Sequence, residues 1–348
     1  MSEFYLGILG GGQLGSMLSL AAKKLGIKTI VYCNDADAPA QNFCDEFIFG
    51  EYNDNLCLED FVEKAKVITY EFENIPYLTL DEINKKKPVL PKPSINRLIQ
   101  HRLAEKDFIN KLNIRTTQYV LIKKKSDLDS LSDLLPGILK TTTMGYDGKG
   151  QYLIKEIKGV DTLNIDFSKE YILEKIVKLK KEISIIITRF GNNSYEIYEP
   201  IENTHEDQIL KYSKIPAEIS DNILNQSKDW AVSIAEELKF IGTLCIEFFI
   251  DRNDNLFVNE IAPRVHNSGH LTINAYNVSQ FENHVRAVCS LEKIPLKKIS
   301  NAKMINLIGS QIEPYRQNIR LKDNEFFFDY LKKEIKDKRK MGHITILI

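Results

Sequence analysis

Residues 246–261 run Ile-Glu-Phe-Phe-Ile-Asp-Arg-Asn-Asp-Asn-Leu-Phe-Val-Asn-Glu-Ile, two apolar runs on either side of the polar turn Asp251 to Asn255. That is the pattern of a β-hairpin. With the turn centred on Asn253-Asp254, Glu247 falls directly opposite Glu260. Two like charges so placed destabilise a hairpin, because their Cβ atoms are only about 4.5–5.5 Å apart. A hard cation between them resolves the conflict. Two carboxylates with the amide oxygen of Asn259 nearby suit Mg²⁺, with Mn²⁺ as the alternative, and Mg²⁺ takes its remaining ligands from water and nucleotide phosphates. The competing reading is a solvent-facing acidic pair on a hairpin with a three-residue loop, in which the register slips and the pairing fails. The choice between the two governs how the rest of the chain is read.

Directly after the hairpin stands Arg264-Val265-His266-Asn267-Ser268-Gly269-His270, which holds two of the six histidines. Zinc fits it poorly: Gly269 disfavours a helix and no C-x-x-C lies nearby. A polar loop contacting an anionic or hydroxylated small molecule fits better, with an ordinary surface turn as the bland alternative. Upstream, Lys140 ends an apolar run and is followed by Thr141 to Gln151, with Gly145, Gly148 and Gly150 in six positions. Backbone N–H groups of such a loop can cradle phosphate and the lysine can neutralise it. A flexible hairpin tip is the alternative, and the Walker pattern is absent. Near the start, Gly10, Gly12 and Gly15 satisfy G-x-G-x-x-G between a strand and a helix, with Asp35 or Asp37 about 20 residues on, a dinucleotide fingerprint. Any tight strand-to-helix turn needs similar glycines, and a helix N-terminus here could equally hold another anion.

The chain has 348 residues, enough for two or three domains. Apolar runs alternating with amphipathic stretches over the first 90 or so residues predict a parallel α/β domain. Pro88, Pro91 and Pro93 then interrupt regular structure and mark a boundary near residue 95. Short β-like runs dominate to about residue 190 and predict a mostly antiparallel middle. Lysine plus arginine (47) against aspartate plus glutamate (48) gives a net charge of −1. That argues against a chain built to coat nucleic acid or an acidic membrane. The segment Leu331 to Lys340, with six basic and two acidic residues, is either a solvated helix face or a phosphate clamp. Five cysteines without a C-x-x-C pair fit a reducing, cytoplasmic setting. Neither a secretory leader nor an apolar stretch of membrane-spanning length is read in the sequence.

These segments occur in one order: Gly10 to Gly15, Thr69 to Pro76, Gly145 to Gln151, Asn259 to Arg264, His266 to His270, Ser279 to Glu282 and Arg339 to His343. Over nearly the whole chain that order closely resembles the 5-(carboxyamino)imidazole ribonucleotide synthase family of ATP-grasp enzymes in purine biosynthesis. The resemblance implies a mixed α/β and α+β fold. Residues 1–95 would form a Rossmann-like parallel α/β domain, 96–175 a linker helix and small lid, and 176–348 a larger antiparallel-sheet domain, with ATP between the last two. It implies ATP-dependent carboxylation of 5-aminoimidazole ribonucleotide (AIR) with bicarbonate by a cytoplasmic homodimer that binds neither nucleic acid nor membrane.

Residue by residue, the resemblance assigns Arg102 and Lys140 to the ATP phosphates. Gly145, Tyr146, Asp147, Gly148, Lys149, Gly150 and Gln151 would form the closing loop. Glu174, Lys175, Ile176 and Val177 would hold adenine along a strand edge, with Glu182 on the ribose and His205 at the nucleotide. Glu247 and Glu260 would bind magnesium, with Asn259 beside them. AIR would meet Tyr146, Asp147, Arg264, His266, Asn267 and Ser268, with Lys332 and Arg339 on its 5′-phosphate and Gln13 and Glu73 on the N-terminal side. Lys140, Tyr146, Asp147 and Arg264 would be catalytic. Two departures stand out: Val265 replaces the usual proline, which relaxes a φ constraint, and Leu331 replaces the usual glycine before Lys332. The rival from another class is an NAD-dependent oxidoreductase built on Gly10 to Gly15, and a third reading is a catalytically silent nucleotide-binding regulator.

Overall fold

The computed structural model describes residues 5–143 and 150–348. The expectations for Gly145, Tyr146, Asp147, Gly148 and Lys149 therefore lie outside the described residues. Among those described, the strands form three sheets. The first is parallel, in the order β3-β2-β1-β4, from β1 (Tyr5–Leu9), β2 (Lys28–Cys33), β3 (Glu46–Phe49) and β4 (Ala65–Tyr70). Strand β1 is buried along its whole length, as a strand covered on both faces must be. Helices α1 (Gln13–Lys24) and α2 (Asn55–Lys64) make the crossovers, and α3 (Tyr77–Lys86) follows. Asp54 caps α2 by accepting from the backbone N–H groups of Leu56 and Cys57. Pro93, read in the sequence as part of a break, instead opens α4 (Pro93–Ile99), because a first-turn proline loses no helical hydrogen bond.

Helix α5 (Arg102–Lys111) leads to a small antiparallel sheet, order β5-β8-β6-β7, of β5 (Tyr119–Ile122), β6 (Gly137–Thr141), β7 (Gln151–Ile154) and β8 (Tyr171–Lys175). Its own core includes Ile122, Leu139, Ile154, Tyr171 and Leu173. The third sheet runs β14-β13-β9-β11-β12-β15-β17-β16, with β10 (Tyr195–Ile197) paired to β9. Its other strands are β9 (Leu179–Arg189), β11 (Ile201–Glu206), β12 (Ile209–Ile215), β13 (Gly242–Asp251), β14 (Leu256–Ala262), β15 (Ala302–Ile308), β16 (Glu325–Asp329) and β17 (Lys340–Leu347).

Alternation in this sheet divides core from site. Ile183, Ile185 and Ile187 of β9 and Leu244, Ile246 and Phe248 of β13 pack against α6 (Asp221–Glu237) through Ala231, Ile234 and Ala235. Each such side chain contributes roughly 1.5–3 kcal/mol by burial. Glu182, Ser184 and Glu247 lie on the opposite face. Helix α6 starts where Ser220 caps Ile223 N–H, with Asp221 complementing the helix dipole. Past the short α7 (Thr272–Ala275), α8 (Gln280–Val288) packs on α1 through Phe281, Val285 and Val288 against residues such as Leu14, Met17 and Leu18. His284 of α8 adds a polar tie between the first and third sheets: its Nδ1 accepts from Thr243 N–H (3.0 Å) and its Nε2 meets Thr69 Oγ1 (2.8 Å). After α9 (Glu313–Gln317) and β16, residues Leu331 to Arg339 form no helix and are mostly exposed, so the solvated-helix reading of this basic stretch is corrected to a loop leading into β17. No helix among the described residues is long and apolar enough to cross a membrane.

Candidate active site

A cavity of about 750 Å³ opens where the three sheets meet, ample for a nucleotide and a second small ligand. Gln13 and Glu73 line it from the first domain, Arg102 from α5, Lys140 and Gln151 from the small sheet, and Glu247, Glu260, Arg264, His266 and Asn267 from the third.

The carboxylate hairpin forms by a route that differs from the sequence expectation. The connection is a three-residue loop closed by Asp251 N–H donating to Asn255 O (3.0 Å), and near it Ile250 pairs with Leu256 and Phe248 with Val258. This is the turn of the competing reading, and taken alone it would put Glu260 on the core face with Val258. A bulge at Asn259 shifts the register by one, so that Glu247 pairs with Glu260 after all. Val258 and Ile261 both face the core, and Asn259 and Glu260 both face the cavity. The carboxylate of Glu105, on α5, accepts the Ile261 N–H (2.6 Å) beside the bulge.

The carboxylates crowd one another. Burial first and Glu260 second push the Glu247 carboxyl up to about 7. Burial and Glu260 together also push Glu105 up to about 8. Among the described residues no group of three or more His, Cys, Asp or Glu is gathered to hold a metal. The donor set is thus an opposed oxygen pair with the Asn259 amide on the same wall, which fits a hard divalent cation completed by ligands from outside the protein.

Phosphate-class cations face this pair from the small sheet. Lys140 Nζ lies 3.2 Å from Glu174 Oε1, and Lys106 Nζ lies 3.4 Å from Glu174 Oε2. Burial alone would raise the Glu174 carboxyl, but Lys140 and Lys106 outweigh it and hold it at about 2. Lys106 is fully buried and also donates to Thr116 and Thr117 Oγ1 (3.0 Å each). The Glu174 side chain therefore orients Lys140, a role the sequence reading did not give it. Arg102 donates to Thr141 O (2.7 Å), next to the glycine loop. Lys175, Ile176 and Val177 line the same wall, with Ile138, Leu179 and Phe249 supplying apolar surface. His205 Nδ1 sits 2.7 Å from Glu182 Oε2, and this partner raises the histidine against the opposing effect of burial.

On the other side, Arg264 Nε donates to Glu73, an ion pair that joins the first domain to the third. It holds Glu73 below the usual carboxylate range although burial opposes this. Gln280 clamps the residue two along: His266 N–H donates to Gln280 Oε1 (3.0 Å) and Gln280 Nε2 donates to His266 O (2.5 Å). Gly269 is required here, because a Cβ would lie 2.2 Å from Ile186 Cδ1 and 2.6 Å from Gln280. Asn267 is held between Asn306 Nδ2, which donates to its Oδ1 (2.6 Å), and His270 Nε2 (3.0 Å). Val265 is fully buried in the core that holds Phe281 and Tyr330, so apolar packing anchors the loop at the position where the resemblance implied proline.

Several predicted residues stand apart. Gly150 and Ser268 do not line the cavity, nor do Lys332 and Arg339. Lys332 is buried and donates to Lys340 O (2.7 Å), and Arg339 donates to Glu334 O (3.1 Å). The cation of that segment that does line the cavity is Lys340, whose charge reaches Glu73, Glu247 and His266. It lay within the Arg-Lys-Met-Gly-His segment but was not singled out. The glycine fingerprint serves a local purpose: Glu71 Oε1 accepts the Gly12 N–H (2.8 Å) at the head of α1. A Cβ on Gly10 or Gly12 would sit within 2.9 Å of Glu71, and Gly10 has φ +100°. The protein's own carboxylate thus takes the helix end that a pyrophosphate would need.

Comparison with known proteins agrees with this architecture. Residues 4–100 match the ribonucleotide synthetase preATP-grasp domain, 107–281 the ATP-grasp domain, and 302–348 the phosphoribosylaminoimidazole carboxylase C-terminal domain. The chain is 37% identical over 347 residues to N5-carboxyaminoimidazole ribonucleotide synthase of Staphylococcus aureus (strain COL), covering 98% of this chain and 92% of that one. The Staphylococcus aureus N5-carboxyaminoimidazole synthetase solved with ADP superposes with a TM-score of 0.92 at 36% identity, over 99% of this chain and 93% of that one. The Aspergillus clavatus synthase solved with ADP and 5-aminoimidazole ribonucleotide superposes with a TM-score of 0.91 at 26% identity, over 100% and 95%. With its three domain matches in sequence order and an opposed carboxylate pair on the wall of the cavity between them, this chain belongs to the N5-carboxyaminoimidazole ribonucleotide synthase family of ATP-grasp enzymes.

Proposed function

We propose that this chain carboxylates the exocyclic amine of AIR with bicarbonate at the expense of ATP, giving the N5-carboxylated ribonucleotide, ADP and phosphate. The observation that carries the reading is the convergence on one cavity of Glu247 opposed to Glu260, Lys140 with Arg102, and the Arg264-His266-Asn267 loop. The glycine-fingerprint rival loses its anion site to Glu71.

Bicarbonate is a poor electrophile until an oxygen of it is made into a leaving group. Attack of a bicarbonate oxygen on the γ-phosphorus forms an O–P bond and expels ADP, giving carboxyphosphate. Its C–O bond then breaks to release CO₂ and phosphate. The amine nitrogen bonds to the carbon and loses a proton. Positioning and charge neutralisation dominate such phosphoryl transfer. Lys140, held by Glu174, and Arg102, held by Thr141, supply positive charge at the transferring group. Magnesium, with Mn²⁺ as a substitute, fits Glu247 and Glu260 and would neutralise charge on the phosphates when bound. Arg264, fixed by Glu73, is the cation for carboxyphosphate beside the AIR amine, and a preorganised, partly buried site would strengthen that contact. Adenine fits the wall formed by residues 174–177, with Glu182 and His205 toward the ribose. Glu73, His266 and Asn267 suit AIR. Lys340 adds a cation on that wall, and Lys332, Arg339 and Ser268 act from behind it. A homodimer in the cytoplasm remains the expectation from the family.

The test is phosphate release from Mg·ATP with bicarbonate and AIR supplied singly and together. Turnover that needs both supports the reading. Nicotinamide binding without substrate-dependent ATP turnover overturns it.

A further inference from the structure

Behind the cavity wall, a row of fully or nearly buried polar side chains crosses the third sheet and ends on His266. Ser213 of β12 donates through Oγ to Asn203 Oδ1 on β11 (2.9 Å), and Asn203 Nδ2 donates to Ser184 Oγ on β9 (3.0 Å). Ser184 Oγ meets Ser268 Oγ (2.8 Å), which meets His266 Nδ1 (2.9 Å). Ser184, Ser213 and Ser268 have no exposed surface, and Asn203 is 6% exposed. Such a row in a core costs stability unless every donor finds an acceptor.

Two contacts set the direction of the row. Ser268 N–H can only donate, and it points at His266 Nδ1 at 3.3 Å, a long contact. The Ser268 hydroxyl is nearer (2.9 Å) and gives its single hydrogen to the one lone pair of Nδ1, which leaves the ring proton on Nε2. Its oxygen then accepts from Ser184, whose own hydrogen is thereby spent. Ser184 accepts in turn from the amide nitrogen of Asn203, and the Asn203 oxygen takes the hydrogen of Ser213. Each hydroxyl hydrogen has one place to go. Cys245, buried beside Ser184 and Ser268, is too weak a hydrogen-bonding group to compete with the oxygens. At the far end, His266 Nε2 lies 3.3 Å from Glu247 Oε1.

We infer that Ser184, Asn203 and Ser213 are positioning residues whose buried row holds His266 in its Nε2–H tautomer, so that it meets ligand and Glu247 as a hydrogen-bond donor and does not take the proton of the substrate amine. The substrate half of this inference rests on the AIR reading above. When the amine nitrogen bonds to carbon, its departing proton goes to another acceptor, and the phosphate released in the same turnover is one that the reaction itself supplies.

The experiment is ¹⁵N spectroscopy of the full chain with labelled histidine and no substrate, with the His266 signals identified by their loss in His266→Gln. The inference expects Nδ1 at the non-protonated position and Nε2 at the protonated one; the reverse pattern overturns it. Ser184→Ala should bring in the second tautomer and raise the KM for AIR by about 10- to 100-fold, the usual scale for groups that orient a functional histidine, while the KM for ATP stays put. Ser184→Thr, which keeps the hydroxyl, should restore both. An alanine variant with the parent's tautomer and KM overturns the positioning role. Absence of turnover in the parent chain overturns the functional reading, and the resonances alone still decide the tautomer.

Discussion

Glu174 illustrates how a residue recognised in the sequence acquires a different job in three dimensions. Its position in Glu-Lys-Ile-Val marked the strand expected to face adenine, but its side chain bridges Lys140 and the buried Lys106. No local pattern announces such a bridge, because Lys106, Lys140 and Glu174 come from separate elements. The consequence is measurable. The folded carboxyl sits at about 2, below the value of about 4.3 in an unfolded chain. A carboxylate depressed on folding stabilises the protein fully above its unfolded value and loses that contribution as pH falls through the folded one. Stability should therefore fall between about pH 4.3 and 2 through this group, and Glu174→Gln should remove that share of the acid limb in denaturant titrations. At pH 7 the variant should be weaker by about 3–5 kcal/mol, because Lys106 is left buried and uncompensated. An unchanged acid limb would show that the bridge does not form. Lys340 and Gln280 are the converse case: both lay inside recognised segments, yet nothing in a one-dimensional pattern says which neighbour in a basic pair faces a cavity, or that a glutamine will clamp a loop fourteen residues earlier.

At the scale of elements, the apolar runs of β1, β2 and β4 and the helical spacing of α1 were legible because a strand covered on both faces reads as a continuous apolar run and a helix buried on one face repeats every 3.6 residues. The carboxylate hairpin was legible in outcome and misread in mechanism. The pairing of Glu247 with Glu260 arises from a shorter turn and a compensating bulge. Its trace was present, since Val258 and Ile261 are three apart where strict alternation would make them two or four apart. Deleting Asn259 should restore unbroken alternation with Glu260 still opposite Glu247, so the variant should keep its fold and lose only the share of turnover that the Asn259 amide supplies. Glu260→Gln keeps the shape, so it should fold normally yet lose at least about 10²-fold in turnover, the scale of one electrostatic contact in a preorganised site. Near-normal turnover of Glu260→Gln would remove that carboxylate from the proposed metal site, and a deletion variant that loses its fold or all turnover would contradict the register assigned to the bulge. The basic stretch before β17 was the least legible element. Composition permits a helix there, but contacts such as that of Lys332 with the Lys340 carbonyl hold it as a loop.

For the whole molecule, a net charge of −1 conceals an arrangement. Carboxylates crowd one wall of the cavity, where Glu260 lifts the carboxyls of Glu247 and Glu105 in addition to the effect of burial. Cations from the second and third domains stand on the others, and Glu73 of the first domain pairs with one of them, Arg264. On the proposed function, the near cancellation is that of a site for a divalent cation and sites for phosphate, assembled only when the sheets come together. The central claim is that bicarbonate is phosphorylated before it meets the amine. It is tested most directly by supplying bicarbonate labelled with ¹⁸O together with Mg·ATP and AIR, and weighing the phosphate released. Transfer of the γ-phosphoryl group to a bicarbonate oxygen, followed by C–O cleavage, predicts one ¹⁸O in each phosphate. Unlabelled phosphate released in step with carboxylated product would contradict it.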